Sequence, residues 1–121
     1  MQRTYHNLVA WQQSIKLAKE IYAITDRFPT EERFGLISQM RRAAVSIASN
    51  IAEGTARGSK LEFIQFLNVA RGSLSELETQ LTIAEELQFT DNQKSLRICI
   101  DEMFGLLNGL INSLKRSNPK H

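Results

Sequence analysis

Proline is nearly absent from this sequence: two in 121 residues, at Pro29 and Pro119. Glycine is sparse too, with six. Both residues interrupt helices, so their scarcity leaves long stretches free to be helical. A single cysteine, Cys99, excludes an internal disulfide and a cysteine-ligated zinc site. The two histidines, His6 and His121, stand at opposite ends, and no Glu-x-x-His pair occurs. A di-iron bundle is thereby excluded, and no metal or other cofactor is expected. No stretch approaches the roughly 18 apolar residues of a membrane span. The N-terminal MQRTYHNLVAWQQ has no apolar signal core. A reducing cytoplasm is the expected compartment, with no membrane partner.

The residues that are abundant are helix formers: Leu, Ile, Ala, Glu, Gln, Ser, Lys and Arg. Net charge is only +2, but it is unevenly placed. Residues 1–58 carry +3, residues 59–90 carry −3 and residues 91–121 carry +2. Helices of opposite charge packed in one bundle account for this; so does an assembly that gathers basic faces for nucleic acid.

The spacing predicts four helices and no strand, an all-α, antiparallel up-down-up-down four-helix bundle forming a single domain over residues 1–121. The first helix runs from about Asn7 to Phe28, with a stripe of Leu8, Trp11, Ile15, Ala18, Ile21, Tyr22 and Thr25 widened by Leu17 and Ile24, and stops at Pro29. The second begins between Thr30, a candidate N-cap, and Leu36, with residues 30–35 readable as a separate turn because of Gly35, and ends at Gly54 in a left-handed stop. The third starts at Ser59, where Ser59-Lys60-Leu61-Glu62 matches a capping box, and runs to about Phe89. The fourth starts near Thr90 or Asp91, with Thr90-x-x-Gln93 as a second box, and gives way to a polar tail from Ser117 to His121. Phe63, Phe66, Phe104, Leu106 and Ile111 exceed what one core face needs, so an apolar patch and a homo-oligomer are expected. Mid-helix Gly72 is costly, and a close helix approach would offset it.

The second helix, LISQMRRAAVSIASNIAEG, carries two registers. Leu36, Met40, Ala43, Ala44, Ile47 and Ile51 make a core face. Gln39, Ser46, Asn50 and Glu53, joined by Glu76 of the third helix, make a polar stripe read as a hydrogen-bonded network between helices or subunits, with Arg42 and Arg71 as its cations. No acidic residue separates Glu32 from Glu53, so the stretch holding Arg33, Arg41 and Arg42 is locally basic. The segment Gly54-Thr-Ala-Arg-Gly-Ser-Lys60 lacks phosphate-loop spacing and a preceding strand. Its Arg57 and Lys60 can still meet a phosphate beside a helix N-terminus. Arg33, Arg41, Arg42, Arg57, Lys60 and Arg71 are therefore the candidate nucleic-acid contacts, with Arg33, Arg41 and Arg57, read as exposed, favoured for phosphate. Glu53 has no nucleophile or second tunable group beside it, and Cys99 lies on an apolar stripe, so no catalytic residue is assigned.

Leu8-Val-Ala-Trp11, Arg27-Phe28-Pro29, Gln39-Met-Arg-Arg42, Ser46-Ile-Ala-Ser-Asn50-Ile-Ala-Glu-Gly54 and Ala70-Arg-Gly-Ser-Leu-Ser-Glu76 resemble the four-helix-bundle family of the 23S ribosomal RNA intervening-sequence protein, from about Tyr5 to Lys115. The family often has proline where this chain has Ala48. The resemblance implies a ring-like homopentamer with a basic centre, and no catalytic residues. It also relates the chain to the accessory protein of diversity-generating retroelements, which works with a reverse transcriptase and nucleic acid. By similarity, Arg41, Arg42 and Arg71 fall at basic or inter-subunit positions. The expectation is a non-enzymatic oligomer that binds RNA or DNA by charge. The alternatives are a structural or protein-interaction module with no nucleic-acid role, and an enzyme using Glu53.

Overall fold

Four α-helices and two short 3-10 turns make up the regular structure of the computed structural model, which describes residues 3–117. They are α1 (Val9–Thr25), α2 (Leu36–Thr55), α3 (Lys60–Glu86) and α4 (Lys94–Arg116), with turns at Thr4–Asn7 and Thr30–Glu32. The helices contact one another in ring order, α1 to α2 to α3 to α4 and back to α1, with no diagonal contact. Cross-contacts fix the directions. Gly54 of α2 lies beside Phe63 and Phe66 at the start of α3, and Ser46 meets Ser73 farther along. Arg97 near the start of α4 reaches Glu85 near the end of α3, while Arg71 reaches Asn108. Arg41 early in α2 meets Thr25 at the end of α1, and Cys99 meets Glu20. Consecutive helices therefore run antiparallel.

The core face of α2 is as the spacing predicts: Met40, Ala43, Ala44, Ile47 and Ile51 are buried and Leu36 packs against them. On α1 the buried face is Ala10, Ser14, Leu17, Ile21 and Thr25, so the predicted stripe is rotated by part of a turn. Ile15 and Tyr22 are exposed, and Trp11, Ile15 and Ala18 wall a shallow groove against Val45 and Ala48 of α2. Two adjacent faces of α1 are apolar enough for either to serve. The small Ala10 and Ser14 win the interior because they allow close packing, Ser14 satisfying its hydroxyl on the Trp11 carbonyl.

The surplus on α3 and α4 goes into the core and not into the expected patch. Ile111 is buried, Phe63, Phe104 and Leu106 pack on the core, and Phe66 is half-buried with Arg57 over its ring at 4.9 Å. The large exposed apolar residues are others, among them Leu61, Ile98, Leu87 and, most exposed among the described residues, Phe34 at 91%.

Helix ends also differ from expectation. Phe28 and Pro29 lie beyond α1, and Phe28 is buried against Phe89 with ring centroids 5.8 Å apart. Of the two readings for 30–35 the separate turn holds, at Thr30–Glu32, so Thr30 does not cap α2; Glu32 does, its Oε1 accepting the Leu36 N–H at 3.1 Å. Ser59 caps α3 as predicted, accepting the Glu62 N–H at 3.1 Å. The second box does not form: α4 starts at Lys94, Gln93 donates its amide to the Thr90 hydroxyl, and Glu85 accepts the Gln93 N–H. The tail expected to fray, 118–121 with His121, lies outside the described residues.

Two glycines exchange roles. Gly54 lies inside α2 and is not a left-handed stop; Gly58, with φ +84°, takes that conformation. A Cβ at Gly54 would stand 2.8 Å from Phe63 Cδ1, so the close approach of α2 and α3 is here. Gly72 meets nothing within 4 Å and does not mediate a close approach in the protomer.

These contacts set two stability outcomes. Gly54→Ala lowers unfolding free energy by about 1–3 kcal/mol through overpacking, whereas Gly72→Ala raises it by up to about 1 kcal/mol, both read from urea denaturation. Glu85 accepts from Arg97 and from the Gln93 N–H, and the Arg97 hydrogen bond holds its carboxyl below the usual carboxylate range against the effect of burial. A carboxylate depressed on folding contributes stability present above its unfolded pKa of about 4.3, which is lost as pH falls through the lower folded value. Glu85→Gln is therefore less stable at pH 7 by about 1 kcal/mol. Melting curves taken from pH 7 downward will show the gap to the parent protein closing below about pH 4.

Candidate nucleic-acid interface

The turn that leads into α2 places an aromatic ring among arginines. Arg33 and Phe34 follow the Thr30–Glu32 turn, where the Arg33 N–H bonds the Thr30 carbonyl at 3.1 Å and the Gly35 N–H bonds the Glu32 carbonyl at 3.0 Å. A Cβ at Gly35 would fall 3.0 Å from the Glu32 Oε1 that caps Leu36, so glycine leaves room for that cap. One turn into α2, Arg41 and Arg42 project toward the same region. The result is a shallow groove lined by Tyr22, Arg33, Phe34, Ile37, Arg41 and Arg42.

The three arginines of this groove are not equivalent. Arg41 is fastened to α1: its Nε donates to Thr25 Oγ1 at 2.9 Å, its Nη2 pairs with Asp26 at 3.3 Å, and its guanidinium lies 4.5 Å above the Tyr22 ring. The side chains of Arg33 and Arg42 make no hydrogen bond or ion pair among the described residues. Both are exposed, and their charges face water.

The other three predicted cations lie elsewhere. Arg57 pairs with Glu53 at 3.2 Å, one turn away at the far end of α2. Lys60 donates to the Ser117 carbonyl at 2.8 Å, tying α3 to the end of α4. Glu62 lies beside the Ser59 cap, so the N-terminus of α3 already has a carboxylate. Arg71 donates to Asn108 at 2.7 Å and to Asn68 at 2.8 Å, bracing α3 against α4.

The polar stripe is brought together in part. Ser46 and Ser73 share a hydrogen bond of 2.9 Å between α2 and α3, and Asn50 donates to Ser46 Oγ at 3.0 Å. Gln39, Arg42, Ser46, Ser73 and Glu76 line a polar cleft of about 440 Å³, with Ser38 and Phe34 at its edge. Glu53 is apart from this cleft, engaged with Arg57. Phe34 was not singled out by sequence, and Ser73, one of the small residues expected where the second and third helices pack closely, was not assigned a polar partner. Ser73 sits four residues from Val69 and three from Ala70, with its hydroxyl opposite Ser46, a placement readable only once the two helices are in register. Phe34 carries no helical periodicity, because it precedes the helix.

Cys99 is half-buried on the α1-facing side of α4, its thiol 3.6 Å from a Glu20 carboxylate oxygen. Burial first, and then the Glu20 charge, push this thiol up, so it stays protonated at neutral pH and is a poor nucleophile. Among the described residues no group of three or more His, Cys, Asp or Glu side chains gathers to hold a metal ion, and no helix is long and apolar enough to cross a membrane.

The fold has a solved counterpart. A crystal structure of a protein with unknown function from the S23 ribosomal protein family of Bacteroides thetaiotaomicron superposes with a TM-score of 0.78 at 24% identity. The alignment covers 86% of this chain and 96% of that one, a likeness that shows the fold. No curated protein matches the chain. The family model of the 23S rRNA-intervening sequence protein matches residues 6–109, which hold the basic groove, the polar cleft and the greater part of all four helices. The chain belongs to the 23S rRNA-intervening sequence protein family.

Proposed function

We propose that this protein is a non-enzymatic, cytoplasmic homo-oligomer, a pentamer by family resemblance, that binds RNA or DNA by charge. The observation that carries this reading is the convergence of Arg33, Arg41 and Arg42 on one groove, two of them without partners among the described residues. A cation that has no partner in the protein loses little on meeting a phosphate, and counterions released from the nucleic acid drive the association. Such contacts position a backbone and do not read sequence, so the binding is weakly specific. Arg41, already seated on Tyr22 and Asp26, supplies fixed charge and keeps the groove in shape. Arg57, Lys60 and Arg71 add to the field, although each has a partner inside the chain. A ring of copies multiplies the charge of one groove, which matters because one protomer carries only +2. A reverse transcriptase is a partner suggested by the family resemblance alone.

Fluorescence anisotropy with structured RNA and duplex DNA tests the reading. Binding is expected at about 50 mM salt and falls steeply as salt rises, with a log–log slope of about −0.9 for each duplex phosphate neutralised. Arg33→Gln/Arg42→Gln together weaken binding at least tenfold and make that slope shallower by about 1.8 per engaged protomer. No binding at low salt would leave the structural or protein-interaction role, with the exposed apolar residues as its contact surface. Light scattering is expected to give five times the 13.8 kDa chain mass; a stable monomer at tens of micromolar, of about one chain mass, removes the oligomer.

A further inference from the structure

Phe34 is the most exposed large apolar side chain among the described residues, at 91%, and it lines the basic groove. We infer that its ring is a stacking platform for a base of a single-stranded nucleic acid, with the adjoining phosphates held by Arg33 and Arg42. This rests on the reading of the groove as a charged nucleic-acid site and adds the class of strand it takes.

Three observations carry it. The ring is not on a slack loop: the Arg33, Gly35 and Leu36 N–H groups are all bonded within the turn, to Thr30, to the Glu32 carbonyl and to the Glu32 carboxylate. The backbone therefore presents Phe34 outward at a defined place. Next, the neighbouring aromatic is already occupied, since the Arg41 guanidinium covers the Tyr22 ring. Phe34 is left as the bare π face of the groove. Finally, charge is distributed asymmetrically about it. Arg33, Arg41 and Arg42 line the groove, and the polar cleft beyond it shares Arg42 but also carries Glu76 together with hydroxyl and amide groups. Glu76 offsets Arg42 within the cleft, so the backbone of a bound strand runs along the groove side, past Arg33 and Arg42. The base turns toward the ring and the hydrogen-bonding groups beyond it. Stacked bases inside a duplex offer no face to such a ring, whereas unpaired bases do. Exposed aromatic surface without a nucleic acid forgoes the burial that a Phe normally contributes to folding, which is the sense in which the position is costly to the protomer.

The test compares three probes on the full-length protein: a dodecameric oligothymidylate, an abasic phosphodiester of the same length, and a duplex of the same length. The parent protein is expected to prefer the oligothymidylate over the abasic strand. Phe34→Leu, which alters only an exposed side chain, is expected to weaken oligothymidylate binding about tenfold and leave the abasic strand and duplex unchanged; Phe34→Tyr retains the parent affinity. If Phe34→Leu binds the oligothymidylate as tightly as the parent while Arg33→Gln/Arg42→Gln still weakens it, stacking is overturned and the charge reading stands. If the parent binds none of the three probes at about 50 mM salt, the charge reading fails and stacking with it. If Phe34→Leu breaks up the assembly in light scattering, the ring is a contact between copies, and the stacking assignment is overturned.

Discussion

The close approach of α2 and α3 is the constraint from which the functional surface follows. At Gly54 the two helices come so near that a single methyl would collide with Phe63, and farther along Ser46 and Ser73 share a hydrogen bond. Contacts at two points fix both the spacing and the register of the pair. Once α2 is locked in this way, its inward face is spent on Met40, Ile47 and Ile51, and its outward positions have nowhere else to go. Arg42 therefore overlooks the cleft between the two helices, and Arg41, one position earlier, turns toward α1. The basic groove is a by-product of core packing in its position and a product of residue choice in its chemistry.

Much of this was legible in the sequence, and the parts that were not share a cause. The core face of α2 could be read because its apolar positions stand against polar ones, so only one rotation of the helix makes sense. On α1 the contrast is weaker. Ile15 and Tyr22 read as part of the core stripe but are exposed, and Ala10 and Ser14 take the interior beside the expected Leu17 and Ile21, because two neighbouring faces of the helix are apolar enough for either to serve. Glycine was ambiguous for a related reason. Gly54 and Gly72 look alike in one dimension; what separates them is a phenyl ring on another helix, present in one case and absent in the other. Phe34 escaped notice because periodicity says nothing about a residue outside a helix.

Charge follows the same lesson. The sequence favoured Arg33, Arg41 and Arg57 for phosphate and gave Arg42 and Arg71 to the polar network, but the fold sorted the six cations by what stands within reach. Arg71 braces α3 on α4, Lys60 ties down the end of α4, and Arg57 is shared between Glu53 and the Phe66 ring. These side chains have structural work, and exposed pairs of this kind add little to stability one by one. Arg33 and Arg42 have none. A polar stripe at helical spacing signals that something polar is needed on that face, but only the tertiary neighbours reveal which members satisfy one another and which are left to water.

The last helix stands in a different position from the rest. Of the four, α4 has the slightest contact with its neighbours, and its entry is governed by one ionisable hub, Glu85, which both stops the Gln93 N–H and grips Arg97. The α2–α3 seam, by contrast, is made of a glycine, aromatic carbon and two hydroxyls, none of which titrates. Acid thus attacks the molecule unevenly: it loosens the corner where α3 hands over to α4 and spares the seam. Local opening on acidification is expected to start as a peeling of the final helix, with the close-packed α2–α3 pair as the part that holds longest.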